Sequence, residues 1–381
     1  MTTLSTSLRH DPWRAFFPLG LLLAWAGVSE WLLYAIGATA EYRATFHASA
    51  QVQGFMTCMA IGFLYTFVPR RTATTEPTNL QLVATAAAPV AATVAAWEGQ
   101  LALTQALWGA GILVAAAFVF RRVIGSGGAR RVPGVFVWVP AGLLAAATGA
   151  ALVGIAAILG PHEEPELWRL GRGLLLQGFV TALVVGVGGT MIPTLTRGPN
   201  AGEPPAGVLW GRPAQALAAA LFLASFPLEV YLEPRAGLAL RAVVTGAVLV
   251  SAARLWRPPS VPGLHRRLIW ISAWLLPAGY ALAALVPGLL SAALHVVFIG
   301  SFALMALSVS LHVALSHGGR QDALVRSPWQ VRAMGLLLLT ALASRLLVGV
   351  DAAHQRPWLG CASGAFLLAT AAWASLVRDR S

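Results

Sequence analysis

Eight histidines stand out in a chain whose other residues are mostly apolar, and two of them share a setting. His47 and His295 each stand at the start of a long apolar run. Each precedes a glycine, Gly54 and Gly300, by seven and five residues. Imidazole is a standard axial ligand of heme iron, and two imidazoles on opposite sides of one iron favour electron transfer over oxygen carriage. The blander alternative is a pair of polar residues satisfied at a membrane interface. His312 follows His295 by 17 residues, about 25 Å along a helix axis. His317 comes five later, in Ser316-His317-Gly318-Gly319-Arg320. These two are too distant to serve the site of His295. They suit either a second metal site or a capped, solvated helix end. His10, His162 and His354 fall in polar segments and read as surface residues, and His265, beside Arg266 and Arg267, as a headgroup-level residue.

Charges inside apolar runs are costly in lipid and therefore suspects for function. Arg172, Arg241 and Arg345 offer planar donors for carboxylates such as heme propionates. Simple ion pairs, Arg345 with Glu30 or Asp351, are the competing reading. Met56, Cys58 and Met59 supply soft sulfur donors for copper, although neighbouring sulfurs on an apolar helix usually pack. Cys58 and Cys361 both lie in apolar runs and read as buried free thiols.

The elements that must position these groups follow from composition. The 381 residues are 57% hydrophobic and 10% charged, with a mean hydropathy of +0.72. A soluble domain is about 25% charged, so this chain cannot clothe a water-facing surface. Windows of about 19 residues give twelve membrane-crossing helices: 15–37, 48–68, 80–97, 101–120, 134–158, 171–193, 211–231, 236–256, 268–286, 290–314, 332–350 and 358–377. The fold class is an all-α, polytopic membrane protein. The first span is too long for a cleavable signal peptide and lacks a cleavage site.

The net charge of +12 comes from 26 arginines and no lysine. They cluster between the apolar runs, as Arg70-Arg71, Arg121-Arg122, Arg130-Arg131, Arg254 with Arg257, and Arg266-Arg267. With the N-terminus inside, the inner segments hold 19 arginines and the outer ones 7. That bias predicts both termini in the cytoplasm of a bacterial inner membrane, with the lipid bilayer rather than nucleic acid as partner.

A repeat runs through the spans. Gln53-Gly54-Phe55-Met56-Thr57 matches Gln177-Gly178-Phe179-Val180-Thr181 at an offset of 124. The register holds at Gly62 with Gly186, Thr66 with Thr190, and Pro69 with Pro193. Gly300 lies 122 beyond Gly178. Three four-helix units, about 13–125, 134–257 and 265–378, fit this better than two halves. By analogy alone, a division into thirds is the plan of heme–copper oxidase subunit I, where hemes sit between helices.

Phe46-His47-Ala48-Ser49-Ala50-Gln51-Val52-Gln53-Gly54-Phe55, with Ile61-Gly62-Phe63-Leu64-Tyr65-Thr66, resembles the helix 2 motif of the NnrS family, roughly W-H-A-H-E-M-x-F-G-F and a-G-F-L-x-T. Pro12-Trp13-Arg14-Ala15-Phe16-Phe17 is similar to its R-P-F-F start. Gly188-Gly189-Thr190-Met191-Ile192-Pro193-Thr194-Leu195-Thr196-Arg197 resembles G-G-R-x-I-P-x-F-T-R. His295 with Gly300 and Ser316-His317-Gly318-Gly319-Arg320 resemble H-x-x-x-x-G and G-H-T-G-R. The resemblance implies a twelve-helix inner-membrane protein with heme and copper, acting in nitric oxide metabolism and protection against nitrosative stress beside denitrification. By motif position it makes His47, His295 and His317 ligands. Ser49 and Ala50 stand where the motif has histidine and glutamate, so two donors that a copper ion could use there are missing. Thr190 replaces an arginine.

A binuclear nitric oxide or oxygen reductase centre takes three imidazoles from helices 6 and 7. Here 171–193 and 211–231 contain no histidine. The expectation is therefore heme-based nitric oxide handling or electron transfer to a redox partner, with bis-His ligation across helices 2 and 10. The alternative is a cofactor-free permease. No hydrolase or phosphate-binding motif appears, and Gly186-Val187-Gly188-Gly189 lies within a span, where glycines serve close helix packing.

Overall fold

The computed structural model describes residues 4–124, 132–202 and 211–378, so the Arg130-Arg131 cluster lies outside the described residues. Among the described residues every regular element is helical. Twelve are long and apolar enough to cross a membrane. They are α1 (Trp13–Ala35), α2 (Ala44–Thr72), α3 (Asn79–Trp97), α4 (Leu101–Val123), α5 (Gly134–Leu159), α6 (Pro165–Arg197), α7 (Arg212–Leu232), α8 (Pro234–Ala252), α9 (Leu264–Leu285), α10 (Pro287–His317), α11 (Trp329–Val350) and α12 (Ala352–Arg378). The chain is a multi-pass, all-α membrane protein, and its lipid-facing character shows in side chains such as Leu80, Ile158 and Leu285, each at least three-quarters exposed.

Helix ends depart from the hydropathy reading where polar turns extend an apolar core. The sequence places α6 from 171, but it starts at Pro165, a residue preorganised for the first helical turn. Its first two turns carry Glu166, Arg169 and Arg172, which a hydropathy window discards. Thr78 and Gln81 form a reciprocal capping box that starts α3. The eighth span ends at Ala252 rather than 256, because Arg254 adopts a left-handed conformation, φ 51°, that stops the helix.

The chain divides into two compact units, and the division falls within α1 and within α6. The first comprises Met1–Gly27 and Ala44–Leu183. In it α1 lies on α2, with Gly62 of α2 so close to Phe16 that an added Cβ would come within 2.8 Å. Likewise Gly149 of α5 admits the backbone of α6 at Gly171 and Leu175. In lipid no water is expelled between helices, so such close approach and its dispersion contacts hold the bundle. The second unit comprises Val28–Arg43 and Val184–Ser381. Its α8 meets α7 through Gly237, whose backbone abuts Ser225 and Glu229.

Three of the spans contain a π-helical turn just after a residue singled out by the sequence. Ala50–Met56 follows His47, Leu174–Gly178 follows Arg172, and Val296–Ala303 follows His295. A fourth, Leu228–Leu232, ends α7. Such insertions re-aim the side chains around them and concentrate at functional positions.

Candidate functional site

In the first unit, α2 is fastened to α1 by two side chains one helical turn apart. His47 Nδ1 donates to the Gly27 carbonyl at 2.9 Å, and Gln51 Nε2 donates to the Ala24 carbonyl at 2.9 Å. A carbonyl can only accept, so the proton of His47 sits on Nδ1 and the lone pair on Nε2, the arrangement in which imidazole ligates a metal. Gly27 makes the approach possible, for a Cβ there would meet Ala50 and Gln51 at 2.7 Å.

In the second unit, His295 has the same tautomer by different means. Its Nδ1 donates to the Ser291 carbonyl one turn back, at 2.6 Å. Its Nε2 accepts from Arg345 Nε at 3.3 Å, while Arg345 also reaches Ser291 Oγ at 3.4 Å and lies 5.9 Å from the Trp31 ring. Arg345 therefore does not pair with Glu30 or Asp351. Glu30 is buried and takes Arg43 instead, at 2.8 Å, together with the Arg43 backbone N–H at 3.2 Å. Asp351 binds His354 and Trp358, each at 3.0 Å.

Arg241, fully buried in α8, is neutralised within its own unit. It donates to Glu229 at 2.6 Å and to Ser225 Oγ at 3.1 Å, and its guanidinium lies 3.8 Å over the Phe226 ring. Arg172 differs. It lies 5.5 Å over the Trp168 ring in the first unit and lines a small cleft with Thr45, Ser49, Gln53, Gln105 and Val153. Gln53 and Gln105 are buried there and bonded to each other at 2.9 Å. Sequence reading missed these two glutamines because uncharged amides carry little signal in an apolar run.

His312 is joined not to His317, which is exposed, but to His265. His265 Nε2 and His312 Nδ1 are 3.2 Å apart and the rings are nearly parallel, 26° between planes. His265, expected among headgroups, is fully buried, and its Nδ1 has no hydrogen-bond partner among the described residues. Leaving such a nitrogen dry costs about 1–3 kcal/mol. Nothing in the local sequence marks the pairing, since 47 residues separate the rings. Among the described residues no three of His, Cys, Asp and Glu converge as a metal cage.

The sulfur residues pack. Met56, Cys58 and Met59 are buried, Cys58 against Gly20 of α1. Cys361, expected in the core, is exposed and receives a hydrogen bond from Ser344 at 3.2 Å. It falls on the outward stripe of α12, where an apolar residue meets lipid as readily as protein.

A search of curated proteins finds no match. The sequence model of the NnrS protein family matches residues 7–378, nearly the whole chain, and so the chain belongs to the NnrS family.

Proposed function

We propose that this protein is a heme-bearing membrane protein of nitric oxide metabolism or the nitrosative stress response, with His47 and His295 as axial ligands. The observation that carries the reading is the shared tautomer. Both imidazoles have Nδ1 tied to a backbone carbonyl, which orients the ring and puts the lone pair on Nε2, the atom that would ligate iron. At His295, Arg345 donates to that atom and would have to turn away from it. Both are followed by a π-helical turn. When bound, heme would supply an iron able to exchange electrons or to bind nitric oxide. The protein's part is to hold the imidazoles and to meet the heme carboxylates. Arg172 is suited to the carboxylates, Arg345 would reach one only by leaving His295 and Ser291, and Arg241 is already committed to Glu229. The test is the visible spectrum of the purified protein. A Soret band in the wild type, lost or shifted in His47→Ala and His295→Ala, supports the assignment.

Copper is assigned to His312 with His265 rather than with His317. Two ring nitrogens 3.2 Å apart can close on one soft cation of low coordination number. Metal analysis of His265→Ala and His312→Ala tests this, with loss of copper expected in both. The three-unit organisation is kept as part of the proposal, supported by π-helical turns at Ala50, Leu174 and Val296, positions spaced as the sequence repeat is. The arginine bias supports placing both termini in the cytoplasm of a bacterial inner membrane.

A further inference from the structure

We infer that the cleft in the first unit, lined by Arg172, Thr45, Ser49, Gln53 and Gln105, is a receptor for one small planar oxyanion, a carboxylate or a group of nitrite size. The inference deepens the role given to Arg172 above.

Four observations converge on it. First, Arg172 lies in the membrane-crossing α6, yet neither a hydrogen bond nor an ion pair joins it to any described residue, and no acidic side chain lines the cleft. An uncompensated guanidinium in an apolar setting attracts an anion far more strongly than it would in water. Second, the hydroxyls beside it are unspent. Many helical hydroxyls bond back to the carbonyl one turn earlier, as Thr66, Thr72, Thr93, Thr196 and Thr370 do, although Ser301 and Ser308 do not. Ser49 forms no such bond, and Thr45, in the first turn of α2, has no helical carbonyl one turn earlier to take its proton. Third, Gln53 donates to the carbonyl oxygen of Gln105, which leaves the Gln105 amide protons available to an acceptor. Fourth, the cleft is half open, and its floor has room for roughly a water molecule or two. That floor admits the tip of a carboxylate or a free triatomic anion. The π-helical turns that follow Ser49 and Arg172 border this space on both sides.

The same chemistry has two sources, the carboxylate of a resident heme or a freely exchanging anion. Titration calorimetry with sodium formate and sodium nitrite separates them. It is run on the full-length protein in zwitterionic nanodiscs, both as purified and stripped of any cofactor. The stripped wild type is expected to bind one anion per chain. Affinity should fall at least tenfold in Arg172→Gln, be partly kept in Arg172→Lys, and stay unchanged in Arg169→Gln, an exposed arginine paired with Glu166. If a heme carboxylate is the natural occupant, the pigmented protein does not titrate and Arg172→Gln shifts its heme potential. If the anion is free, both forms titrate alike. No saturable binding to the stripped wild type overturns the proposal, as does wild-type affinity in an Arg172→Gln protein that melts normally. A colourless protein that binds formate refutes the heme assignment and leaves this one standing.

Discussion

Arg172 and Arg241 both lie on membrane-crossing helices, Arg172 part-buried where the polar first turns of α6 meet its apolar run and Arg241 fully buried in α8, and the protein treats them in opposite ways. Arg241 is wrapped by Glu229, Ser225 and Phe226, and an adjacent glycine, Gly237, brings the two helices close enough for it. Arg172 has an aromatic ring beneath it and unspent hydroxyls beside it, but no carboxylate. A charge that only holds helices together is neutralised on the spot. One left open at a cleft retains its capacity to hold something else.

The contrast can be broken most forcefully at Glu229. Glu229→Leu strands the fully buried Arg241 and should cost about 3–5 kcal/mol, whereas adding Arg241→Met should restore most of it. Arg172→Met should leave thermal stability unchanged or raise it while abolishing anion binding. Melting curves of the solubilised protein compare the three variants with wild type. A large loss in Arg172→Met would mean that both arginines are structural. Next in size, Gly149→Val must push α6 from α5 at Gly171 and should cost about 1–3 kcal/mol, with the anion affinity falling alongside it. Gln53→Leu alone strands the Gln105 amide and should cost about 1–2 kcal/mol, while the double leucine variant should be close to neutral in stability. The double variant should still bind formate more weakly than wild type.

The smallest effect belongs to Asp351, outside the spans. The Trp358 indole N–H, and then His354, hold its carboxyl below the ordinary carboxylate range. A native pKa below the unfolded one contributes stability above about pH 4, and that contribution is lost as pH falls through the lowered value. Wild type and Asp351→Asn should therefore differ slightly at pH 6 and converge in acid, as a series of melts at decreasing pH would register.

Hydropathy and arginine placement made the twelve helices legible, because lipid imposes a length and a composition on each span. The sites were legible only in part. His47 and His295 announced themselves as polar groups at the starts of apolar helices. The sequence could not show that Nδ1 is tied to a carbonyl in each, since that depends on Gly27 in one case and on the preceding turn in the other. Glu229 was within reach of reasoning. It lies five residues before Pro234 and Arg241 seven after it, so a tight α7–α8 hairpin sets them at similar depth. The union of His265 with His312 was not, for it depends on how α9 and α10 pack. The cleft at Arg172 escaped because every other residue of its wall is uncharged.

The central claim is that His47 and His295 hold heme, and one absorption spectrum bears on it most directly. Purified wild-type protein should show a Soret band with the split visible bands of low-spin, imidazole-ligated iron. His47→Ala and His295→Ala should each weaken or shift the band, while His162→Ala, which alters an exposed loop histidine, should not. A colourless wild type, or an unaltered Soret band in the His47→Ala, His295→Ala double variant, would contradict the account.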